Sequence, residues 1–564
     1  MHTRRSFLKT VAATAATAGC RPDDDPSPFP QGVASGDPGP DRVVLWTRVS
    51  RDASVEVRWE IATDPGFART LTTGTALASA DADYCVRVVA TGLPARSTLW
   101  YRFEVDGAYS PTGRTRTAPA ADDPVPVRFA WASCQDFPGR WYHAWRALTE
   151  ESEVDFVLFV GDYIYETAAD ERYQDPTPFR RIELPDGRTL DGSAHNLTAV
   201  TLDDYRSLYR QIRSDPDLQE AHRLFPFVML WDDHEFANDA WQDHSVDHDE
   251  RQGDEQDTAR REAATRAWAE YMPTGAAYDA AAGFPRDIQV YRTLRWGAWL
   301  ELVLLDVRYY RDDHLVPEGP IDVEVGKFLE HSPLGSRIFV LKDAFDAREA
   351  DARPTMLGDA QLAWSIEAVR GSDAVWKGLV SPLPMFQLAL DLREEDLPLT
   401  FQALYYFKTD LWDGFRSERR ELLQAIGDTP GLVVFSGDLH GNYVADVHDD
   451  YDAPGPPIAA EFAVTSVSSA TILEQLDRTL STTDLLDDPD LHAVAMRFDE
   501  VATASNPHLR YANSHTYGLA VAEVSADTVA VELLEIDDVH DPIYSGVTRR
   551  KRFVVPLGGA VRPV

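Results

Sequence analysis

Five stretches of this sequence end an apolar run on side chains that bind metals or move protons. VRFAWA (127–132) stops at Ser133-Cys134-Gln135-Asp136, and DFVLFV (155–160) at Gly161-Asp162-Tyr163-Ile164-Tyr165-Glu166. FPFVML (225–230) stops at Trp231-Asp232-Asp233-His234-Glu235. LELVLL (300–305) stops at Asp306-Val307-Arg308, and GLVVFS (431–436) at Gly437-Asp438-Leu439-His440-Gly441-Asn442. Asp162, Asp233 and Asp438 offer hard oxygen ligands, which suit calcium or manganese. Cys134, Tyr165, His234 and His440 offer thiolate, phenolate and imidazole, a set that suits iron. Two-metal hydrolysis needs a carboxylate that bridges ions ~3.5–4 Å apart. Asp162 opens a tight Gly-Asp turn that projects its carboxylate, so it is the candidate bridge.

Runs of this kind are strands covered on both faces, and ligand sites in such sheets lie beyond the carboxyl ends of the strands. WYHAWRALTE, between the first two runs, has helical spacing and predicts a βαβ unit. The fold class is therefore α/β for the larger part of the chain. Ahead of it, Val55, Val57, Trp59 and Ile61 alternate with Glu56, Arg58 and Glu60, and Tyr101, Phe103 and Val105 repeat the pattern. Period-two runs broken by turn signals predict a small antiparallel β-sandwich over 30–118. TGLPARSTLWYRFEV resembles fibronectin type III modules, so the sandwich is expected to be fibronectin-III-like. PAADDPVP supplies a linker at 119–126, leaving 127–564 as the catalytic domain. Residues 240–290 and 312–356 read as insertions, the first with an acidic, salt-bridged helix and solvated His244 and His248. The segment 474–500 is expected on the surface, and GLAVAEV and TVAVELLEI form a hairpin around SAD.

The chain has 564 residues, 44% of them hydrophobic, which is enough for a sizeable core. Its net charge of -39 repels nucleic acid and anionic lipid, so sequence-specific nucleic-acid binding is excluded. Only six of the 54 basic residues are Lys. An acidic, Lys-poor chain of this kind fits a halophilic source, where screening is short-ranged. Residues 1–20 carry Arg4-Arg5 followed by Phe7-Leu8 and a short apolar run, the pattern of a twin-arginine export signal. Cys20, after a small residue, reads as a possible lipid anchor, with 21–29 as tether. Cys85 and Cys134 are too few for a disulfide framework. No stretch is long and apolar enough to span a bilayer. The expected location is extracytoplasmic, in the periplasm or at the cell surface, and the expected state a monomer.

GDYIYE, WDDHE and GDLHGN together resemble the landmarks of the calcineurin-like metallophosphoesterases, including the Gly-Asp-x-x-Tyr of purple acid phosphatases. With ASCQD, LDVRYY and LGDAQLAW in order, the fuller resemblance is to the PhoD-type alkaline phosphatases and phosphodiesterases. The layout of export signal, small β domain and catalytic domain matches as well. The resemblance implies a four-layer αββα catalytic domain and hydrolysis of phosphate esters, with a preference for diesters. It implies in-line attack by a metal-bound hydroxide, with Fe3+ and Ca2+ as cofactors. Carried over residue by residue, Cys134 and Tyr165 would bind iron, Asp162 would bridge, and Asp233 would bind calcium. Asp438 and His440 would complete the metal set, and His234 would contact phosphate or protonate the leaving group. Asp232, Asn238 and Arg308 are outer or phosphate-facing candidates, with His515 and Tyr517 behind them.

One departure stands out. EFAVTSVSSA lacks the His pair that the wider superfamily carries there, so the metal set leans on Asp438 and His440. The rival readings are a non-catalytic, metal-stabilised surface protein and a hydrolase of another ester. Neither a Cys/Ser-x-Pro-x-Arg sulfatase segment nor a G-x-S-x-G nucleophile elbow is present.

Overall fold

A computed structural model describes residues 27–564, apart from 152, 171–173, 176, 178, 190–195, 246–255, 317–337, 400 and 483–488. The export signal, Cys20 and His248 lie outside the described residues, as does part of the 312–356 insertion.

Every apolar run becomes a strand. Val127–Ala132, Phe156–Val160 and Pro226–Leu230 pair in parallel. In the second sheet Leu300–Leu304, Trp376–Val380, Leu432–Ser436 and Ala459–Ala463 run parallel in that order. The two sheets stack through Phe129 and Trp131, whose rings meet Phe435 edge-on at 5.3 and 5.1 Å. Burial on both faces explains the unbroken apolar character of these strands. Helices cover the outer faces. His143–Glu151 and Pro216–Leu224 lie against the first sheet, and Gly358–Gly371 against the second. This is the four-layer αββα arrangement expected of the catalytic domain. The hairpin Tyr517–Val524 and Thr528–Ile536 adds to the first sheet beside Val127–Ala132.

The β-sandwich is present, with Val43, Leu45, Val57, Ile61, Leu99, Tyr101 and Phe103 in its core. One of its faces is continuous with the catalytic sheet. Val33–Gly36 pairs in parallel with Pro226–Leu230, and Arg42–Arg48 and Cys85–Thr91 follow it in the same ten-stranded sheet. Cys85 accordingly packs among the residues of the catalytic core.

Two segments read from their charge, the second of them largely at the surface as expected, also make buried contacts. Helix Thr258–Tyr271 buries Arg260, Ala264, Trp268 and Tyr271. Trp268 packs edge-on against Trp231, just before the Asp232-Asp233-His234 turn. Its charge spacing concealed an apolar face, because Arg260 is buried by donating to Ala199 O and Thr198 Oγ1. In the acidic stretch 474–500, helix Ile472–Thr482 turns Glu474 and Gln475 inward. Glu474 accepts from the Tyr517 hydroxyl, a contact between residues 43 positions apart that no local pattern announces.

Candidate metal centre

The polar clusters all project beyond the carboxyl ends of strands, where the two stacked sheets open towards each other. The backbone there is unusual. Cys134, Asp162, Asp438 and His440 all take left-handed conformations, with φ of 59°, 59°, 61° and 51°. For residues with a Cβ this region is sparsely populated, and such strain gathers at functional sites. The preceding glycine makes the approach possible. A Cβ on Gly161 would lie 2.5 Å from Cβ of Asp232, so only glycine lets the Asp162 and Asp232 turns pack together.

Glu235 ties these turns. It is buried, and it accepts from the backbone N–H groups of Asp162 at 3.0 Å, Tyr163 at 2.7 Å and Asp232 at 2.8 Å. The candidate ligands then fall into overlapping sets. In the first, one donor atom each of Cys134, Asp162 and His440 lies within 4.8 Å of the others. Asp162 Oδ2 is 3.5 Å from Cys134 Sγ and 3.3 Å from the Tyr165 hydroxyl, which is itself 3.3 Å from His440 Nε2. His440 Nδ1 donates to Ala470 O at 2.5 Å, which turns Nε2 towards the cluster. In the second set Asp162 meets Asp232, Asp233 and Asp438, and in the third it meets Asp233 and His234. Asp162 belongs to all three of these, the position a bridging ligand requires, while a fourth set, Asp233, Asp239 and Asp410, lies without it.

The electrostatics are those of a site built around cations. Burial, followed by the nearby Asp233 and Asp232, pushes the Asp162 carboxyl well above its usual range. Burial and the carboxylates of Asp162 and Asp438 push the Cys134 thiol up, and burial with Cys134 and Asp162 does the same to Tyr165. Burial and Lys408 lower His440 to about 3, so its imidazole is neutral and able to ligate. Asp162 Oδ1 and Asp232 Oδ2 are buried without a partner. Orphaned carboxylate oxygens among thiol, phenol and neutral imidazole fit metal ions: hard oxygens on one side of Asp162, softer donors on the other.

The sequence candidates are therefore brought together, with distinct surroundings. His234 Nδ1 lies 2.7 Å from Glu166 Oε2, and its ring centroid is 4.1 Å from that of Tyr165. Burial disfavours its charge, but Glu166, Asp233 and Asp162 outweigh burial and hold its pKa well above normal. Asp232 is engaged on one oxygen by Arg308 Nε at 2.5 Å. Arg308, buried completely, also reaches both oxygens of Asp410 at 2.9 and 2.8 Å. Asn238 touches the site through its backbone N–H, which donates to Glu166 Oε1. His515 pairs with Asp499 and Tyr517 with Glu474, outside the ligand sets. EFAVTSVSSA joins through main chain instead of side chains: Ser468 and Ser469 N–H groups donate to Cys134 O, and Ala470 supplies the acceptor for His440.

Glu166, Glu235, Asp410 and Gln475 surround the site without having been singled out. Glu166 and Glu235 sit inside GDYIYE and WDDHE, so their motifs held the signal. Asp410 and Gln475 lie far along the chain in segments with no distinguishing pattern.

Two stacked sheets with helices outside, and a carboxylate shared by overlapping groups of possible metal ligands at the strand ends, are the features of a metallophosphoesterase. The PhoD-like phosphatase domain matches residues 129–533 and the PhoD-like phosphatase N-terminal domain matches 13–119, so the chain belongs to the PhoD-like phosphatase family. It is 31% identical over 458 residues to alkaline phosphatase D of Bacillus subtilis (strain 168), covering 78% of this chain and 70% of that protein. A solved structure of PhoD superposes with a TM-score of 0.73 at 26% identity, over 96% of this chain and 93% of that one. A purple acid phosphatase from yellow lupin seeds shares the fold, with a TM-score of 0.50 at 9% identity over 93% and 73% of the two chains. The protein is a hydrolase of phosphoric esters. Among the described residues no helix is long and apolar enough to cross a membrane.

Proposed function

We propose that this protein is an exported phosphodiesterase that binds iron at Cys134, Asp162, Tyr165 and His440, and calcium at Asp162, Asp233 and Asp438. The observation that supports it most is the position of Asp162, shared by three of the four groups of possible ligands, with one oxygen beside the thiol and phenol and the other buried without a partner. When bound, the ions supply an activated water and positive charge for the phosphoryl oxygens. The residues do the rest. Glu235 fixes the backbone of the Asp162 and Asp232 turns, so the carboxylates keep their places when charged. Arg308 pairs with Asp232 and shares Asp410 with Arg311, which lowers repulsion among the carboxylates without occupying Asp162. Glu166 accepts from Nδ1 of His234 and favours the imidazolium, leaving Nε2 to deliver a proton to the departing alkoxide.

Diester preference rests first on the family resemblance, and the charge of the chain supports it. A monoester carries about two negative charges near neutrality and a diester one. The chain's charge of -39 opposes the dianion more, and Arg308 is already committed to carboxylates. Export rests on the Arg4-Arg5 signal, which would deliver the protein folded and metal-loaded to the cell exterior. The test pairs elemental analysis of the exported protein with hydrolysis of chromogenic monoester and diester substrates sharing one leaving group. Iron and calcium with a higher kcat/KM for the diester are expected. A monoester kcat/KM about tenfold above the diester would overturn the preference.

A further inference from the structure

The metal centre is open on the side of Asp438. Cys134, Asp162, Tyr165, Asp233, His234 and His440 are buried, whereas Asp438 is half-buried. Lys408, a residue that neither the motifs nor the ligand sets include, stands on that side and is half-buried as well. Burial is the strongest influence on the Asp438 carboxyl and on the His440 imidazole, and among charges Lys408 comes next for both. It acts on Asp438 more strongly than Asp233 does, although Asp233 shares a ligand set with Asp438. Coulomb interactions fall with distance, so the ammonium lies beside Asp438 and His440. It nevertheless stops short of an ion pair. Arg308 and Arg311 hold Asp410, and Arg140 holds Asp175, but among the described residues the Lys408 ammonium pairs with no carboxylate.

The chain holds Lys408 there from both sides. It follows the strand Leu404–Phe407, which pairs with Ala389–Asp391 and Phe339–Leu341 in a separate three-stranded sheet. The Lys408 N–H donates to Ile338 O at 2.9 Å. Two residues on, Asp410 is locked by Arg308, Arg311 and His314, and its carboxylate falls in one group with Asp233 and Asp239. Between these anchors Lys408 has a φ of 61°, the left-handed conformation that Cys134, Asp162, Asp438 and His440 also take. That conformation is uncommon for a lysine, and such strain gathers where a side chain has to be aimed. A half-buried ammonium without a counter-ion loses hydration with nothing in return. Cations held by Asp438 and His440 would add repulsion. An anion seated between the ammonium and the centre relieves both, and the anions that this family hydrolyses are phosphate esters.

We propose that Lys408 is a catalytic residue whose ammonium donates to a non-bridging oxygen of the substrate phosphate at the open side of the centre, beside Asp438 and His440. Such a contact strengthens as negative charge builds on that oxygen during attack at phosphorus. The inference rests on reading these residues as the phosphate-binding centre, but not on which metals occupy it or on diester preference. The test is calorimetric titration of inorganic phosphate into the full chain, as isolated with its metals, and into Lys408→Met and Lys408→Gln. Both substitutions are expected to weaken phosphate binding about 10–100-fold, the worth of one hydrogen bond to a charged group. Metal content by elemental analysis and the melting temperature should not fall. Unchanged phosphate affinity, a loss that runs parallel to loss of metal, or failure of both variants to fold would each assign Lys408 to the scaffold and overturn the proposal. Leaving groups give a second readout. The kcat/KM for a 4-nitrophenyl diester and for a dialkyl diester should fall by the same factor in Lys408→Met, because the oxygen that Lys408 holds does not depart. A loss confined to the dialkyl ester would make Lys408 a proton donor and overturn the contact with the non-bridging oxygen. Absence of iron or calcium from a protein whose phosphate binding still depends on Lys408 would overturn the metal assignment alone.

Discussion

Arg308 and Asp232 share a completely buried 2.5 Å contact from Nε to Oδ1, and the other oxygen of Asp232 has no partner. This contact divides the carboxylates of the site. Asp232 and Asp410 are paired closely by the protein itself and Asp233 more loosely, with Arg308 Nη2 3.6 Å from its Oδ2, while Asp162 keeps one buried oxygen without a partner. Burial would lower the Arg308 pKa, but Asp232, Asp233 and Asp410 outweigh it and hold the guanidinium firmly charged.

Removing that guanidinium leaves the buried Asp232 carboxylate without its counter-ion, while Asp410 keeps Arg311 Nη1 at 3.0 Å and His314 Nε2 at 2.5 Å. Breaking one partner of a buried pair costs about 3–5 kcal/mol. Arg308→Met is expected to lower unfolding free energy by that order, read from the urea midpoint at unchanged slope. A loss under about 1 kcal/mol would show that Arg308 is dispensable to the carboxylate arrangement.

Cys134 is the only thiol among the ligand sets. Cys134→Ala is expected to remove iron while the far-ultraviolet circular dichroism stays unchanged, and activity should fall by about a hundredfold or more. Cys85→Ala should keep its iron, because Cys85 packs in the core and belongs to none of the ligand sets. Full iron occupancy in Cys134→Ala would remove the thiolate from the ligand set.

Glu166 touches His234 through Nδ1 and supports the loop beyond it through the Asn238 N–H. Replacing its charge with an amide should lower kcat about 10–100-fold with little change in KM. The loss should shrink for substrates whose leaving group needs no protonation, such as 4-nitrophenolate. An equal loss for good and poor leaving groups would assign Glu166 to scaffold alone.

The strands were legible because burial on both faces leaves an unbroken apolar run, and VRFAWA, DFVLFV and GLVVFS carry that mark. Their polar ends located Cys134, Asp162 and Asp438 for the same reason: the run stops where the sheet ends. What stayed hidden depends on long-range pairing. Val33–Gly36 is only VASG, too short to show a period, yet it joins the catalytic sheet. Asp410 acquires its meaning from Arg308, 102 residues away, and the left-handed turns at Cys134 and His440 follow from packing that no local propensity encodes.

Chelation should destabilise the protein in a pH-dependent way. Without cations, burial pushes Asp438 to about 6 and Asp162 well above normal. For a carboxylate raised in the fold, stability is fully present below the unfolded value of about 3.9 and is lost as pH rises through the folded value. Bound cations keep these groups ionised and cancel that loss. The gap in melting temperature between metal-loaded and chelated protein should therefore be wider at about pH 8 than at about pH 5. An equal gap at both would show that the carboxylates do not carry the coupling.

The β-sandwich should be inseparable from catalysis. Val33–Gly36 pairs through Ser35 and Gly36 with Pro226 and Phe227, at the start of the strand that ends at Asp232-Asp233-His234. Asp37, at the end of that pairing, accepts from the Arg292 guanidinium and from the Thr274 hydroxyl, and Arg292 also donates to Met229 O within the strand. Trp46 lies among the catalytic core residues, with the Arg213 guanidinium 3.8 Å from its ring centre. Deleting residues 27–118 would strip the paired edge from that strand and open the core beneath Trp46, leaving unpaired N–H and C=O groups that template aggregation. Residues 119–564 expressed alone are expected to be insoluble, or soluble without bound iron. A monomeric fragment with iron content and diester kcat/KM equal to the full chain would show that the shared sheet is not needed to hold the Asp232–His234 turn in place.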